Sequence, residues 1–540
     1  MDKAQILDCT LRDGAYLVDK NFGNENIVGI VNGLVKAGID IVEIGFLQNE
    51  GEGDGKTVYR NAAAAQKFIP QNSGNTKFAV LADYSRYNIE NLEENKGDSF
   101  DIVRACFFKN ERDKIPQFCK EIKSKGYDLF VQPVDVLGYT DKELIELIEV
   151  INVIQPYCFS IVDTFGSMYI EDLRRVFSLI DNNLDETIKI GFHSHNNMQM
   201  SSALSQEFIS LLGRRKGVVD TTISGMGRGA GNTPTELVAQ YMCEKLESNY
   251  DMDAILDLID NYMENIRTRC EWGYSTEFFI AGSYGAHVNN IAYLKKKNSL
   301  ESKDVRYILN KLTPAQRKRY DYDLLEKTYM DSIEWNIDDT SAINNLSKTL
   351  KNRNIVIVAP GKSIESEEEK IAKYIKDNNA SVISINHVSE FFHNDYIFIS
   401  NKKRFEYWRD NVEFVNSQKI VTSNIEIEET DKISYVSFMR LIKCGWMHFD
   451  NATLLLLRLL DLLEVKSIMI AGVDGYNYKD NYITDKVAMA NSYEDPMELN
   501  RDMRSMLLDF AETRKHKDID IKFITKSRFS DITFSGGENI

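Results

Sequence analysis

The stretch DLFVQPVDVLGYTDKELIELIEVIN, residues 128–152, joins a short apolar run to an amphipathic run of helical length. Its first six residues are almost continuously apolar, which is typical of a strand buried on both faces of a parallel sheet. Its second part starts at Thr140 with Glu143 three residues later, a spacing that predicts a capping box at a helix N-terminus. The stretch therefore predicts one strand–helix unit.

The same unit recurs through the first half of the chain. Apolar runs that predict strands occupy residues 5–8, 41–46, 77–82, 101–107, 128–133, 158–163, 188–193 and 218–223. Segments of helical length separate them, such as residues 24–38, where Gly38 can end the helix. Eight units in about 250 residues match a (β/α)8 TIM barrel in number and length. A doubly wound sheet is the alternative, but it does not ordinarily need eight such regular units.

The rest of the chain predicts two further regions. Residues 251–340 are mostly of helical pattern and predict an extension that completes the active site, and the polar segment 338–348 predicts a linker. Residues 350–540 predict a Rossmann-like α/β domain with a parallel sheet. It opens with a strand, glycine turn and helix predicted over residues 354–364, and further strand candidates lie at residues 381–386, 396–400, 419–423, 467–475 and 521–525. The expected organisation is a barrel over 1–250, the helical extension and this C-terminal domain.

Composition narrows the class of protein. The 540 residues are 43% hydrophobic and 27% charged, and the net charge of -17 disfavours binding to nucleic acid, which relies on basic patches. The N-terminus lacks the pattern of a signal peptide, and the most apolar run, residues 454–463, is interrupted by Arg458 and Asp461. The seven scattered cysteines predict neither a disulfide framework nor a zinc site. We expect a cytoplasmic protein without a membrane segment.

Three polar segments follow predicted strands one, seven and eight. They are DCTLRDG at residues 8–14, HSHN at 193–196 and GMGRGAGN at 225–232. The carboxyl ends of the strands form the active-site face of a TIM barrel, and these three strands become neighbours when the barrel closes. Asp13, His193 and His195 are therefore expected to converge, although Asp13 and His193 are 180 positions apart.

The spacing of these residues indicates a metal site. Side chains alternate along a strand, so His193 and His195 point to the same side. Two imidazoles and the carboxylate of Asp13 can hold a divalent cation with positions left open for a chelating 2-keto acid. The cation would act as a Lewis acid on the enolate, and Arg12 could stabilise the same oxygen. Taken singly, the histidines could be a hydrogen-bonded pair and the glycine run an ordinary turn or a weak phosphate loop.

These motifs carry a resemblance to a known superfamily. The segments Asp-x-Thr-Leu-Arg-Asp-Gly, His-x-His-Asn and Gly-x-Gly-x-Gly-x-Gly-Asn are similar to those of the DRE-TIM metallolyases, which include aldolases, lyases and acyl-CoA-dependent synthases. The resemblance covers roughly residues 1–300 and implies that Mn²⁺ or Mg²⁺ is bound by Asp13, His193 and His195. It implies further roles for Asn232 as a ligand or a neighbour of one, for Arg12 in steadying the enolate and for Glu43 in orienting it.

Within the superfamily, the motifs most resemble those of 4-hydroxy-2-oxovalerate aldolases. The glycine loop lacks the cysteine of hydroxymethylglutaryl-CoA lyases, and Val162 stands where the carboxytransferases have a lysine. Residues 229–236 and the helical-looking stretch 281–287 resemble the aldolase version. The resemblance implies an aldolase that acts on pyruvate, or a related 2-keto acid, and an aldehyde.

One position departs from the aldolase pattern. Tyr16 stands where those aldolases have an acid/base histidine, so proton transfer is assigned to Tyr16, His287, Tyr284 or metal-bound water. Two other functions stay open, an acyl-CoA-dependent condensation like that of isopropylmalate synthase and a non-catalytic binding role on a barrel scaffold. A homo-oligomer is expected.

The C-terminal domain opens with NIVIVAPGKS at residues 354–363. A P-loop is rejected because Val356 replaces its first glycine. A strand, turn and helix can still offer backbone N–H groups to an anion, and Asp474 after a later strand could line the same cleft. The pattern loosely resembles Rossmann-like sugar-nucleotide enzymes and predicts a nucleotide or sugar nucleotide as ligand. A scaffold or oligomerisation domain is the alternative.

Overall fold

The computed structural model describes residues 4–296, 300–332, 337–427, 432–478, 481–482 and 495–534. The chain divides into two compact units, Met1–Ile291 with Leu312–Asp321, and Ala292–Lys311 with Tyr322–Ile540. None of the helices in the described ranges combines the length and apolar character that a membrane span requires.

The first unit is built on a closed parallel barrel. Its strands pair in the order β1-β9-β8-β7-β6-β5-β4-β2, and β2 pairs again with β1, while the two-residue β3 adds to the outside of β2. The predicted TIM barrel is confirmed for this unit. The strands are β1 (Ala4–Asp8), β2 (Ile41–Leu47), β3 (Val58–Tyr59), β4 (Lys77–Asp83), β5 (Ile102–Phe107), β6 (Asp128–Pro133), β7 (Cys158–Asp163), β8 (Lys189–Ser194) and β9 (Gly217–Thr221).

Helices follow the barrel strands and continue to Ser332, and of these the helices Ser302–Lys311 and Tyr322–Ser332 belong to the second unit. The predicted capping box of Thr140 and Glu143 is present at the start of the helix after β6. The α-helices are α1 (Thr10–Asp13), α2 (Asn24–Lys36), α3 (Ala62–Gln66), α4 (Ile115–Ser124), α5 (Asp141–Ile154), α6 (Ile170–Asn183), α7 (Ser201–Leu211), α8 (Thr235–Leu246), α9 (Met252–Leu258), α10 (Glu264–Arg267), α11 (Thr276–Ser283), α12 (Val288–Lys295), α13 (Ser302–Lys311), α14 (Pro314–Lys318) and α15 (Tyr322–Ser332).

Alternation along the strands gives the barrel interior two kinds of layer. An apolar layer is formed by Leu7, Ile41, Ala79, Ile102, Phe130, Cys158 and Val218. Two residues further toward the carboxyl ends the side chains point inward again, and there the interior holds the buried charges of Glu43, Arg104 and Asp220. The apolar layer closes the barrel from below, so the charged layer faces the active-site end.

The second unit contains a seven-stranded parallel sheet in the order β14-β13-β12-β11-β10-β15-β16. The direction of strand order reverses between β10 and β15, because β11 lies on one side of β10 and the much later β15 on the other. The predicted C-terminal α/β domain with a parallel sheet is confirmed. The strands are β10 (Asn354–Val358), β11 (Ser381–Ile385), β12 (Tyr396–Ile399), β13 (Gln418–Thr422), β14 (Ile433–Val436), β15 (Ser467–Ala471) and β16 (Asp520–Phe523).

Helices connect these strands. They are α16 (Thr340–Leu350), α17 (Ser363–Ser366), α18 (Glu368–Asn378), α19 (Lys402–Trp408), α20 (Val412–Asn416), α21 (Phe438–Leu441), α22 (Ala452–Leu462) and α23 (Pro496–Thr513).

Two local predictions are wrong. Segment 338–348 is not an irregular linker, because most of it forms α16, whose Leu346 and Leu350 are buried, and Asp339 before it is bound by Arg440. His287 does not lie on a helix: α11 ends at Ser283, and Gly285 at φ +53 turns the chain before α12 begins at Val288.

Candidate metal centre and active site

The three polar segments meet at the carboxyl ends of β1, β8 and β9. Asp13 ends α1 immediately after β1, His193 is the fifth residue of β8, and His195 directly follows that strand. The Nε2 atoms of His193 and His195 lie 3.3 and 3.9 Å from Asp13 Oδ2. The two imidazole rings are perpendicular, with centroids 5.1 Å apart. The predicted convergence of these three side chains is thus present.

Asn232 joins this group through the glycine loop after β9. It forms an isolated antiparallel bridge with His195, and its Nδ2 donates to the carbonyl of Met226 at 3.3 Å. A Cβ at Gly227 would lie 2.1 Å from Asn232 Nδ2 and 3.5 Å from Asp13 Oδ1, so any larger residue here would displace the side chain of Asn232. The loop therefore passes close to both Asn232 and Asp13.

Beneath these ligands, hydrogen bonds and ion pairs form a closed ring of six side chains. The guanidinium of Arg12 donates to Asp13 Oδ2 at 2.7 Å and to Glu43 Oε2 at 2.8 Å. Arg104 donates to the same oxygen of Glu43 at 2.7 Å and also to Asp220 Oδ2. His193 Nδ1 lies 3.0 Å from Asp220 Oδ2, and His193 Nε2 returns to Asp13. The ring consists of Arg12, Glu43, Arg104, Asp220, His193 and Asp13.

The charge of this ring suits a cation. Two arginines face three carboxylates, which leaves one net negative charge when His193 is neutral. Burial alone would raise the pKa of Asp13, but Arg12 and the two histidines hold it well below its usual range. Burial also raises the pKa of Asp220, but Arg104 and His193 lower it by more, so the net shift of this pKa is downward. Both aspartates are therefore ionised at neutral pH.

The histidines differ in their surroundings. Burial lowers the pKa of His195 to about 4, so its imidazole is neutral at physiological pH. Burial also lowers the pKa of His193, but its hydrogen bonds to Asp13 and Asp220 outweigh that effect and the net shift is upward. Because Asp220 engages Nδ1, the Nε2 of His193 is directed at Asp13, as expected of a ligand oriented by a carboxylate behind it.

The donor set fits a divalent metal. Asp13 Oδ1 and Asn232 Oδ1 are buried acceptors with no hydrogen-bond partner among the described residues, which is costly unless a ligand completes them. Carboxylate and amide oxygens suit hard divalent cations and imidazole suits divalent transition metals, so this mixed set fits a divalent cation without selecting one. The thiol of Cys9 also lies within 4.8 Å of ligand atoms of Asp13 and His193. Burial and the surrounding carboxylates raise the pKa of this thiol well above its usual value, which disfavours a thiolate.

Tyr16 stands at the edge of this site. Its ring packs edge-on against Phe46 at 5.5 Å, and the exposed guanidinium of Arg228 from the glycine loop lies 4.3 Å from its centroid. Burial raises the pKa of Tyr16, with Arg12 acting in the opposite direction. Tyr16 is therefore a protonated phenol at neutral pH, able to donate a proton and poorly suited to accept one.

His287 lies beside the glycine loop rather than among the metal ligands. Its neighbour Val288 would be 3.4 Å from a Cβ on Gly229. Its Nδ1 accepts from the N–H of Asn289, and its ring packs on Tyr320. Burial, with a contribution from Arg228, lowers its pKa to about 4. Tyr284, the third acid/base candidate, has the guanidinium of Arg317 at 5.2 Å from its ring.

Comparison with known proteins identifies the region that carries this site. The family description that matches is HMGL-like, and the match covers residues 3–261. Residues 3–261 form an HMGL-like domain. All six members of the buried ring, together with His195 and Asn232, lie inside it.

Similar proteins of known name share this HMGL-like domain at low identity. The oxaloacetate decarboxylase of Mycobacterium tuberculosis is 29% identical over 265 residues, 47% of this chain and 74% of that protein. The 4-hydroxy-2-oxovalerate aldolase of Carboxydothermus hydrogenoformans is 24% identical over 319 residues, 57% of this chain and 92% of that protein. Such relatives support a lyase activity of the metal-dependent kind.

Among solved structures, the N-terminal domain of a proposed aldolase from Bacteroides vulgatus aligns with a TM-score of 0.48. The alignment is 22% identical and covers 53% of this chain and 95% of that one.

Sequence reasoning missed part of the HMGL-like site. Arg104 and Asp220 close the buried ring, and Cys9 and Arg228 lie beside the ligands. A signal for the first two was present, because each is a charge in the middle of an apolar run, DIVRACF and VVDTTI. A charge at an inward position of a buried strand needs a partner, and that requirement could have singled them out.

Proposed function

We propose that the HMGL-like domain is a divalent-metal-dependent aldolase that makes or cleaves a carbon–carbon bond next to a 2-keto acid such as pyruvate. The observation that carries the proposal is the convergence of Asp13, His193 and His195, with the unpartnered Oδ1 of Asn232 beside them. The aldolases among the relatives support the reaction class. Its small-molecule partners would be the 2-keto acid and an aldehyde.

These side chains would hold the metal, and Arg12 would act on the substrate. A bound divalent metal would supply Lewis acidity to the keto and carboxylate oxygens of the 2-keto acid. The Nε and one terminal nitrogen of Arg12 are engaged by Glu43 and Asp13, and the other terminal nitrogen has no protein partner among the described residues. The guanidinium is thus held rigidly with a donor left for an oxyanion. Such a preorganised donor stabilises the negative charge that develops on the enolate oxygen.

Glu43 positions this donor. It is fully buried, and one of its oxygens accepts from both Arg12 and Arg104. Its other oxygen is buried without a hydrogen-bond partner among the described residues. Next to it, β2 departs from regular pairing between Glu43 and Phe46, and Gly45 has φ +149. An irregularity of this kind re-aims a side chain near a site.

Proton transfer would be divided between two groups. Cleavage of a hydroxy keto acid needs a base for the hydroxyl proton and an acid for the enolate carbon. His287 is neutral above about pH 4 and can act as the base, whereas Tyr16 stays protonated and can act as the acid. Arg228 packs on the ring of Tyr16 and its charge also lowers the pKa of His287, which supports a role for both groups at the same end of the barrel.

Decarboxylation of a dicarboxylic keto acid is a second candidate. The M. tuberculosis relative is named an oxaloacetate decarboxylase, and loss of CO₂ from oxaloacetate leaves the same pyruvate enolate that aldol cleavage leaves. The same arginine and metal ligands would serve both reactions. The two differ in the group that departs from the enolate carbon.

A substrate screen tests both. Purified protein loaded with Mn²⁺ or Mg²⁺ is incubated with a panel of 4-hydroxy-2-keto acids and with oxaloacetate, and pyruvate release is followed with and without chelator. We expect metal-dependent pyruvate release from at least one hydroxy keto acid. Release of free thiol from acetyl-CoA and a 2-keto acid, with no pyruvate from the panel, would instead favour the acyl-CoA-dependent condensation. The metal, the cytoplasmic location and the homo-oligomeric state remain predictions.

Tyr16→Phe tests the role of Tyr16 as the general acid. We expect turnover to fall roughly 10²- to 10⁴-fold, the range for loss of a general acid, with metal content unchanged because Tyr16 is not a ligand. Turnover and bound metal are measured on the same preparation. Tyr84→Phe is the matched control, since Tyr84 is a partly buried tyrosine of the same barrel that packs on Phe118. Full activity of Tyr16→Phe would transfer the role to His287 or Tyr284.

A further inference from the structure

The second unit has a large cavity at the carboxyl ends of its central strands. It encloses about 1150 Å³, its open mouth included. Four loops line it, those that follow β10, β11, β12 and β15, through Gly361, Asn386, Asn401 and Asp474. This is the place where the strand order reverses, and open parallel sheets bind ligands in the crevice at such a switch point. Location and size therefore indicate a small-molecule site.

The loop after β10 does not offer its N–H groups to an anion, contrary to the expectation from sequence. The N–H of Gly361 donates to the carbonyl of Gly472 at 2.9 Å, and the N–H of Ser363 donates to Asp474 Oδ2 at 2.8 Å. The hydroxyl of Ser363 donates to the other oxygen of Asp474. The chain's own carboxylate thus takes the place of an anion at this turn. A ligand with a negative group has to bind at another part of the cavity.

The side beyond β11 and β12 has the free donors. Arg404 is half-buried on α19, and its guanidinium makes no hydrogen bond or ion pair to any residue that the structure describes. Asn386 and Asn401 use their side-chain oxygens to accept from the N–H groups of Ser400 and Arg404, at 2.9 and 3.1 Å. Their amide N–H₂ groups have no partner within the described ranges. A desolvated, unpaired arginine among free amide donors is a site for an oxyanion.

The opposite side has acceptors and apolar surface. Asp450 and Asp474 line the cavity, and carboxylates accept from hydroxyl groups. Leu499, Met503 and Met506 of α23 add an apolar wall. The ends of β12 and β15 are three strand spacings apart, roughly 14 Å, so an inorganic phosphate cannot reach both sides. The donors on one side of the cavity and the acceptors on the other are complementary to an elongated ligand with an anionic group at one end and hydroxyl groups along the rest.

We infer that this cavity binds a phosphate ester that carries several hydroxyl groups and is about the size of a nucleotide. Its phosphate binds Arg404, and its hydroxyl groups face Asp450 and Asp474. The two sources of this chemistry are nucleotides and sugar phosphates. The residues named here all belong to the second unit, and the inference does not depend on the aldolase proposal.

Calorimetric titration of the full chain tests the inference. The probes are the four common nucleoside 5′-monophosphates, glucose 1-phosphate, uridine and inorganic phosphate, each in chelator so that metal in the barrel contributes nothing. We expect one phosphate ester to bind at least about tenfold more tightly than uridine or inorganic phosphate, because only the ester contacts both sides. Which ester binds distinguishes a nucleotide site from a sugar-phosphate site.

Arg404→Gln should weaken binding of that ester on the order of 10- to 100-fold, the worth of hydrogen bonds to a charged group. The guanidinium makes no hydrogen bond or ion pair to a residue in the described ranges, so the variant should fold. Arg409→Gln is the matched control, since Arg409 follows the same helix, is exposed and pairs with Glu406. Asn386→Asp is a second variant, which places a negative charge in the lining of the same cavity and should repel the phosphate. Failure of every probe to bind, or equal binding by Arg404→Gln and the unaltered protein, would overturn the inference.

Discussion

His195→Ala is expected to lose the bound metal and to lower turnover on the order of a thousand-fold or more. The neutral imidazole of His195 lies 3.9 Å from Asp13 Oδ2, and its removal leaves the cation without one of its nitrogen donors. Lewis-acid stabilisation is worth several kcal/mol, and each 1.36 kcal/mol is about tenfold in rate. The measurements are metal content of the purified protein by atomic spectroscopy and pyruvate release from the best substrate of the screen.

The chain offers a matched control for this change. His393 is 84% exposed in the second unit, and His393→Ala should leave both metal content and turnover at the level of the unaltered protein. His193→Ala should lose metal as His195→Ala does, and should also destabilise the barrel because it leaves Asp220 with one partner fewer. A His195→Ala variant that keeps stoichiometric metal and full activity would remove the metal centre, and the aldolase proposal with it.

Arg104→Met should be the most destabilising single change in the barrel, lowering the free energy of unfolding by about 3–5 kcal/mol, the cost of breaking a buried ion pair. Arg104 is fully buried and is shared by Glu43 and Asp220. Methionine fills much of the same volume but leaves these two carboxylates facing each other in the interior. Because the chain has two units, the loss is best measured by hydrogen exchange of peptides from β5 and β9 across a denaturant series.

Two further variants show whether charge or packing is responsible. Arg104→Lys keeps a positive charge but cannot bridge both carboxylates with the same geometry, so its loss should be smaller. Arg174→Gln removes an exposed arginine paired with Glu207 and should leave the exchange of the barrel strands unchanged. If Arg104→Met exchanged like Arg174→Gln, the buried ring would not contribute to holding the barrel together.

Most strands of the molecule were predictable because each is a short run whose residues are nearly all apolar. The eight predicted barrel strands each overlap an observed strand, with ends that differ by at most two residues. Two of the observed strands, β3 and β14, were not predicted from the sequence. β3 has two residues, and β14, Ile433–Val436, is a four-residue edge strand whose first three residues are only partly buried. A short strand at the edge of a sheet has few apolar residues, so the sequence pattern does not reveal it. Such a strand forms because a neighbouring strand pairs with it.

The site was predictable to a lesser extent. The positions of Asp13, His193 and His195 at strand ends followed from the order of elements, and their metal-binding role remains a proposal. The conformation around His287 was misjudged because helical pattern alone does not show where Gly285 ends a helix. The exclusion of an anion from the β10 loop could not be foreseen either, since Asp474, which satisfies that loop, lies in the loop after β15, more than a hundred residues later.

The order of apolar runs along the chain determined a parallel barrel followed by a parallel sheet. A strand that is buried on both faces has apolar residues at consecutive positions, so it can be recognised in the sequence. Tertiary structure alone decided which inward charges meet. Arg104 joins Glu43 and Asp220 only when β1 closes the barrel between β2 and β9, and the cavity that Arg404 lines exists only where the loops after β10, β11, β12 and β15 meet. Electrostatic partners are set by distance in space, and no local pattern encodes that distance.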